Sequence, residues 1–233
     1  MRLLALFCGE GGAAEGYRRA GFTTIVGIDR KDTRKRYPGT FVQGDALAYL
    51  LEYGHTFDAI HASPPCQGYS IATAGNLAAR EKHARLIPAT RELLRLTGKP
   101  YVIENVAQAR SEMVDPVMLC GTMFGLHATD DDGTPLEMWR HRLFESNLPL
   151  AAPRACRHGW HSEQVAGSYG GARRDKHEAR HVRHGGYVPA AHVQSQLLGI
   201  DWMTQKGMHE SIPPAFSEHI GRQLIDHLGR AAA

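Results

Sequence analysis

The front half of this chain alternates short apolar runs with longer helical patterns, and that alternation restricts the fold more than any other feature. Residues 3–7, 23–28, 40–42, 57–62 and 101–103 read as strands. Residues 13–20 read as a helix stopped by Gly21, and residues 80–97 as a long amphipathic helix disturbed at Pro88. Strands alternating with helices predict right-handed βαβ units and a largely parallel sheet. Ligands of open α/β sheets collect outside the carboxyl ends of the strands. Binding and chemistry are therefore expected in the loops that follow the apolar runs.

The alternation fails after Phe144, where Pro, Gly, His and Arg dominate up to about Pro189. Helical periodicity returns in residues 192–198 and 214–228, the last helix opening at Pro213-Pro214, a helix-start signal. The expected organisation is an α/β body from residues 1–145 and 190–233, with an irregular insert at 146–189. A chain of 233 residues has room for one sizeable domain and such an insert. Net charge is only +3, but between Arg154 and Tyr187 seven Lys or Arg face three acids. That local excess suggests a polyanion-binding face. The four cysteines are widely spaced with no CxxC pair, which argues for a reducing compartment and against a disulfide framework. No apolar run approaches membrane-spanning length, so no membrane is expected as a partner. The apolar start, running into a Gly-rich loop, reads as a first strand and not as a signal peptide.

Two loops carry candidate chemistry. Phe7-Cys8-Gly9-Glu10-Gly11-Gly12 lies between the first strand and the first helix, where Gly9, Gly11 and Gly12 allow a tight turn and close backbone approach. Asp29 ends the second strand, where an acid could bond ribose hydroxyls, and Asp45 follows the third, where it could read an adenine edge. The spacing is GxGG with no Walker lysine, and by itself it fits NAD, FAD, S-adenosylmethionine or none of these. The second loop, Ala62-Ser63-Pro64-Pro65-Cys66-Gln67-Gly68, places Cys66 behind a stiff Pro-Pro step at a strand's carboxyl end. A thiol on such a fixed loop is a nucleophile candidate.

Taken with Glu104-Asn105-Val106 and Arg140-His141-Arg142, these loops resemble, in order and separation, the motifs of cytosine-C5 DNA methyltransferases. Ser211-Ile212-Pro213-Pro214 is similar to the family's last motif. The likeness extends along the chain except for about residues 146–190 and is nearest to short phage-type members. It implies a Rossmann-like S-adenosylmethionine-dependent methyltransferase sheet, with S-adenosylhomocysteine as product. It implies that Cys66 attacks carbon 6 of a flipped cytosine, that Glu104 protonates the ring nitrogen, and that Arg142 and Arg140 bind the base carbonyl. Phe7, Gly9, Gly11, Gly12, Asp29, Asp45, Pro64 and Ser211 are then cofactor residues, and Asn105 orients the glutamate loop. Two positions depart from the family: His209-Glu210 replaces Gly-Asn, and Met138 replaces a Gln.

The resemblance leaves target recognition to Gln67 and to the insert, with Arg173, Arg174 and Lys176 against the DNA. So small an insert reaches few base edges, and a short, permissive target follows. The partner is double-stranded DNA, the setting a bacterial or phage-infected cytoplasm, with a role such as restriction-modification, and the chain a monomer. RNA-directed cytosine-C5 methylation and an inactive DNA-binding relative are the alternatives; Gln67-Gly68 favours DNA. Cys156-Arg157-His158 with His161, or His177 and His181, leave a zinc reading open, but no paired-ligand spacing is clean and no metal is expected.

Overall fold

The structure, a computed structural model, describes residues 1–69, 85–158, 164–168 and 187–231. Its body is a seven-stranded sheet in the order β3-β2-β1-β4-β5-β9-β6. The first five are β1 (Arg2–Leu6), β2 (Thr24–Asp29), β3 (Thr40–Gln43), β4 (Ala59–Ala62) and β5 (Tyr101–Val106), all parallel. Then β9 (Arg142–Ser146) runs antiparallel between β5 and β6 (Val117–Leu119). Because β9 is reversed, its first residue, Arg142, lies at the carboxyl edge of the parallel strands, opposite Val106.

Successive residues of β1 point to opposite faces, and both faces are covered. Leu3 and Ala5 pack with Tyr17, Phe216, Ile220 and Leu224, brought by α1 (Gly12–Ala20) and α6 (Pro214–Ala231). Leu4 and Leu6 pack with Ile60 of β4 and with Leu50 and Leu94, brought by α2 (Ala46–Tyr53) and α3 (Ile87–Leu96). Helices α1 and α6 touch through small residues. A Cβ on Gly16 would fall 2.0 Å from Ser217 Oγ and 2.2 Å from the Pro214 carbonyl, so only glycine permits this approach.

The expected strands and helices match these elements to within a few residues, with one change of meaning. Pro88 sits in the first turn of α3, where its missing N–H costs nothing, so it opens that helix instead of disturbing it. Residues 70–84 lie outside the described part, and with them the start of the expected helix.

A three-stranded sheet, β10-β8-β7, forms the second unit. It joins β7 (His127–Thr129) and β8 (Pro135–Met138) to β10 (Gln164–Ala166). Its core adds Tyr187, residues of α4 (Ala191–Leu198), and Met208 from α5 (Gln205–Glu210). This unit is therefore not confined to the expected insert at 146–189, since it draws strands from before it and helices from after it. Met138, the departure from the resembled motif, is fully buried in this core.

Candidate active site

The carboxyl edge of the main sheet opens into a cleft of about 430 Å³, within the ordinary size of small-molecule sites. It is lined by Phe7, Gly9, Gly11 and Gly12 after β1, Asp29 after β2, Asp45 after β3 and Pro64, Cys66 and Gln67 after β4. Glu104 of β5, Arg142 of β9 and Ser211 after α5 complete it. The expected site residues within the described part thus converge on one cleft, except Arg140, which does not line it. Arg173, Arg174 and Lys176 lie outside the described residues.

The Gly-rich loop is held in an uncommon shape. Phe7 has φ 56°, Gly9 φ 51° and Gly11 φ 91°. A Cβ on Gly11 would stand 2.3 Å from Pro38 Cδ, so both conformation and space demand glycine there. Gly9 N–H donates to Asp29 Oδ2 at 3.0 Å, and Lys31 N–H donates to its Oδ1 at 2.9 Å. Asp29 therefore spans from the loop to the cleft wall. Asp45 is the N-cap of α2, accepting from Leu47 N–H and Ala48 N–H and pairing with Arg30. Those bonds and the Arg30 charge hold its carboxyl below the usual range. Its first task is to start a helix that the sequence pattern had not marked, although an Asp before Ala-Leu-Ala is the capping signal itself.

The other wall is closed by the segment after α4. Buried Glu10 accepts from Thr204 N–H and Thr204 Oγ1, both at 2.7 Å, and Trp202 Nε1 donates to the Glu10 carbonyl at 3.1 Å. His209 lines the cleft, and its Nε2 is buried without a hydrogen-bond partner among the described residues. An orphaned buried nitrogen costs free energy unless a further polar group meets it. The glycine loop, Asp29 and this unmet nitrogen fit a cofactor with a ribose at one end and an amino-acid group at the other.

Cys66 is half-buried on a loop fixed from two sides. Asn105 Nδ2 donates to the Pro64 carbonyl at 2.9 Å, and Tyr69 N–H donates to the Cys66 carbonyl at 2.9 Å. Asn105 thus orients the cysteine loop as well as the glutamate loop on which it sits. Burial pushes the Cys66 thiol up, and Arg142 pulls it the other way by a smaller amount. Glu104 is buried, with Oε1 at 3.2 Å from Arg142 Nε. Burial raises its carboxyl, with Arg142 and the Ser63 hydroxyl opposing. An elevated carboxyl favours the protonated form that a general acid needs.

Behind Glu104 runs a hydrogen-bonded series that the motif reading missed. Tyr17 Oη meets His61 Nδ1 at 2.9 Å, His61 Nε2 meets Ser63 Oγ at 2.8 Å, and Ser63 bonds Glu104. Burial lowers His61 to about 3, so its ring is neutral, with one nitrogen donating and one accepting. Burial also holds the Tyr17 hydroxyl well above its ordinary range, so it keeps its proton. Every proton finds an acceptor if Tyr17 donates to His61, His61 to Ser63 and Ser63 to Glu104. A polar residue inside the apolar run Ala59-Ile60-His61-Ala62 was the available signal.

Arg140 stands apart from the cleft lining. It is buried at φ 32°, and its guanidinium donates to the carbonyls of Ser168, Met208, His209 and Ser211 at 2.5–3.3 Å. These bonds clamp the segment that walls the cleft to β10's trailing loop. The charge still favours a Cys66 thiolate, though less than Arg142 does.

Comparison with known proteins places these observations in context. A family model described as C-5 cytosine-specific DNA methylase matches residues 1–113. The chain is 36% identical over 77 residues to the Type II methyltransferase M.FnuDI of Fusobacterium nucleatum, a match covering 31% of this chain and 22% of that protein. It is 28% identical over 124 residues to M.AgeI of Thalassovita gelatinovora, covering 46% and 28%. The matched part thus spans about a quarter of these curated relatives. The fold is similar to that of S. pombe Dnmt2 methyltransferase, with TM-score 0.58, 12% identity, and 98% and 99% of the two chains covered. Among the described residues, no helix is long and apolar enough to cross a membrane.

Proposed function

We propose that the protein is a DNA (cytosine-5-)-methyltransferase, a reading supported by the match of residues 1–113 to the C-5 cytosine-specific DNA methylase family model. The observation that carries the reading is the convergence of Cys66, Glu104 and Arg142 on one cleft, with Glu104 buried and 3.2 Å from Arg142.

S-adenosylmethionine, when bound, supplies the methyl group that carbon 5 of the cytosine accepts. The Gly-rich loop, Asp29, Ser211 and the unmet His209 nitrogen would hold it. The chain's own residues do the rest. A cytosine flipped from the duplex enters beside Cys66. The Cys66 thiolate bonds to carbon 6 while Glu104 gives its proton to ring nitrogen 3, so that carbon 5 becomes electron-rich. Arg142 stabilises both the thiolate and the base carbonyl. After methylation, the carbon 5 proton passes to solvent, its electron pair re-forms the carbon 5–carbon 6 double bond as the Cys66 sulfur leaves as thiolate, and nitrogen 3 returns its proton to Glu104. The Tyr17-His61-Ser63 series fixes where Glu104 points. Arg140 holds the cleft wall in place.

The basic excess of the insert supports DNA as the partner, read through a short target, with Gln67 beside the flipped base. Type II methyltransferase relatives support a role in restriction-modification. Transfer of tritiated methyl groups to duplex DNA and to tRNA tests the reading. Label in DNA that disappears with Cys66→Ala is expected; label in tRNA alone favours the RNA alternative, and no label in either contradicts both.

A further inference from the structure

Outside the cleft, four ligand-type side chains from three separate segments meet. Cys120 follows β6, His141 lies between β8 and β9, and Cys156 and His158 open the irregular insert. Their Sγ and ring nitrogen atoms all lie within 4.8 Å of one another. Cys120 Sγ is 3.2 Å from His158 Nε2, Cys156 Sγ is 2.9 Å from the same nitrogen, and Cys156 Sγ is 3.5 Å from His141 Nε2.

A tetrahedral zinc ion, with bonds of about 2.3 Å to sulfur and about 2.0–2.1 Å to nitrogen, places its ligand atoms roughly 3.3–3.8 Å apart. The cluster needs only small side-chain adjustments to reach those edges. Two thiolates and two imidazoles are the donor set of a closed structural zinc site, and the two sulfur charges neutralise the ion. The surroundings already support the ligands. Thr122 Oγ1 donates to Cys120 Sγ at 3.3 Å, and the Trp139 ring stacks on His158 with centroids 3.8 Å apart. All four cysteines of the chain are free, so no disulfide competes for these two. Linear spacing hides the site, because Cys120 and His158 are 38 residues apart and Cys156 and His141 are 15 apart.

We propose that Cys120, His141, Cys156 and His158 bind one structural Zn²⁺. Binding replaces the protons of the two thiols, which are released to solvent as the two sulfur–zinc bonds form. His141 gives the site its consequence for the cleft. Its carbonyl accepts from Arg142 NH1 at 2.8 Å, and it stands between the clamp residue Arg140 and the cleft residue Arg142. The metal thereby ties the root of the basic insert to the strand that presents Arg142. It is a staple between the two sheets' connections, without a role in bond making.

The test uses the full chain, and its metal readout is independent of methyl transfer. Elemental analysis after dialysis against metal-free buffer should find one zinc per chain. Replacement by Co²⁺ should give thiolate-to-metal charge transfer and the intense visible bands of a tetrahedral centre. In the metal-bound wild type, Cys120 and Cys156 should resist alkylation until a strong chelator is added. Cys156→Ser and His158→Gln should each lose the zinc, while Cys8→Ser retains it. Should either variant fail to fold, the cobalt spectrum and the thiol protection of the wild type still decide. The proposal is overturned if the wild type takes up neither metal from an equimolar solution, if both variants keep the zinc, or if mapping finds a Cys120–Cys156 disulfide.

Discussion

At the carboxyl edge of the main sheet, nearly every working side chain stands within a few residues of a strand end, held by the ladder behind it. The three-stranded sheet is assembled differently: residues 127–138, 164–166 and 187–208 meet only in the folded chain. The first region gets its geometry from local chain direction, because a parallel sheet sends successive loops to one edge. The second gets it from long-range bonds, chiefly the Arg140 clamp and the buried Ser168–Gln194 pair at 2.7 Å. The difference teaches that chemistry and holding are divided between the regions. Changes at the edge should alter rate with little loss of stability, and changes in the clamp should do the reverse.

The largest effect expected from an edge acid is at Glu104. Glu104→Gln keeps the shape and removes the transferable proton, and kcat should fall by about 10²–10⁴-fold with the melting temperature nearly unchanged. The pH profile sharpens this. On the proposed mechanism, activity needs Glu104 protonated and Cys66 ionised. The profile should therefore be bell-shaped, with one limb set by the Cys66 thiol and the other by the Glu104 acid in the working complex. Arg142 pulls both groups down, so Arg142→Gln should move both limbs to higher pH. A profile that stays in place would separate Arg142 from the chemistry.

Arg140→Ala tests the other half. It leaves several buried carbonyls without their donor and should cost on the order of 3 kcal/mol or more of stability. Chemical denaturation measures it. A fully stable variant with strongly reduced kcat would turn Arg140 from a clamp into a chemical residue and break the comparison.

Two acids on the same edge sharpen it further. Asp29→Ala should weaken S-adenosylmethionine binding by about 1.5–3 kcal/mol, the scale of charged hydrogen bonds. Asp45→Ala should cost about 1 kcal/mol of stability through the lost cap of α2. Calorimetry and melting curves on both variants separate binding from capping. Equal cofactor affinity for wild type and Asp29→Ala would make Asp29 a loop residue only.

The mildest change falls on the insert. Replacing Arg173, Arg174 and Lys176 together by Ala should flatten the salt dependence of DNA binding by up to about three units of slope, leaving cofactor affinity alone. An unchanged slope would take DNA contact away from these residues.

The same division explains what could be read in the sequence. Strands β1 to β5 announce themselves by apolar runs, and Cys66, Glu104 and the glycine loop sit directly after or within those runs. Arg142 was legible through the motif, but not its position, since only the reversal of β9 brings it to the edge. Helix α2 is missed in the sequence because Asp45 reads there as a cleft acid, whereas its Oδ1 also caps a helix. Pro88 was read as a break because the helix was started too early. The small sheet and the cysteine-histidine cluster left no periodic trace. Their partners lie far apart in the chain, and three-residue strands such as β7 and β10 are too short to alternate visibly.

The central claim is that Cys66 forms the bond that drives the reaction, and covalent trapping tests it most directly. Fluorine at carbon 5 cannot leave as a proton does, so turnover on DNA containing 5-fluorocytosine should stop with the enzyme attached through sulfur. The account predicts a denaturation-resistant protein–DNA complex that requires S-adenosylmethionine, maps by peptide analysis to Cys66, and is absent in Cys66→Ala but present when Cys8, Cys120 or Cys156 is replaced singly. An adduct on another cysteine, or methylation that survives Cys66→Ala, would contradict it.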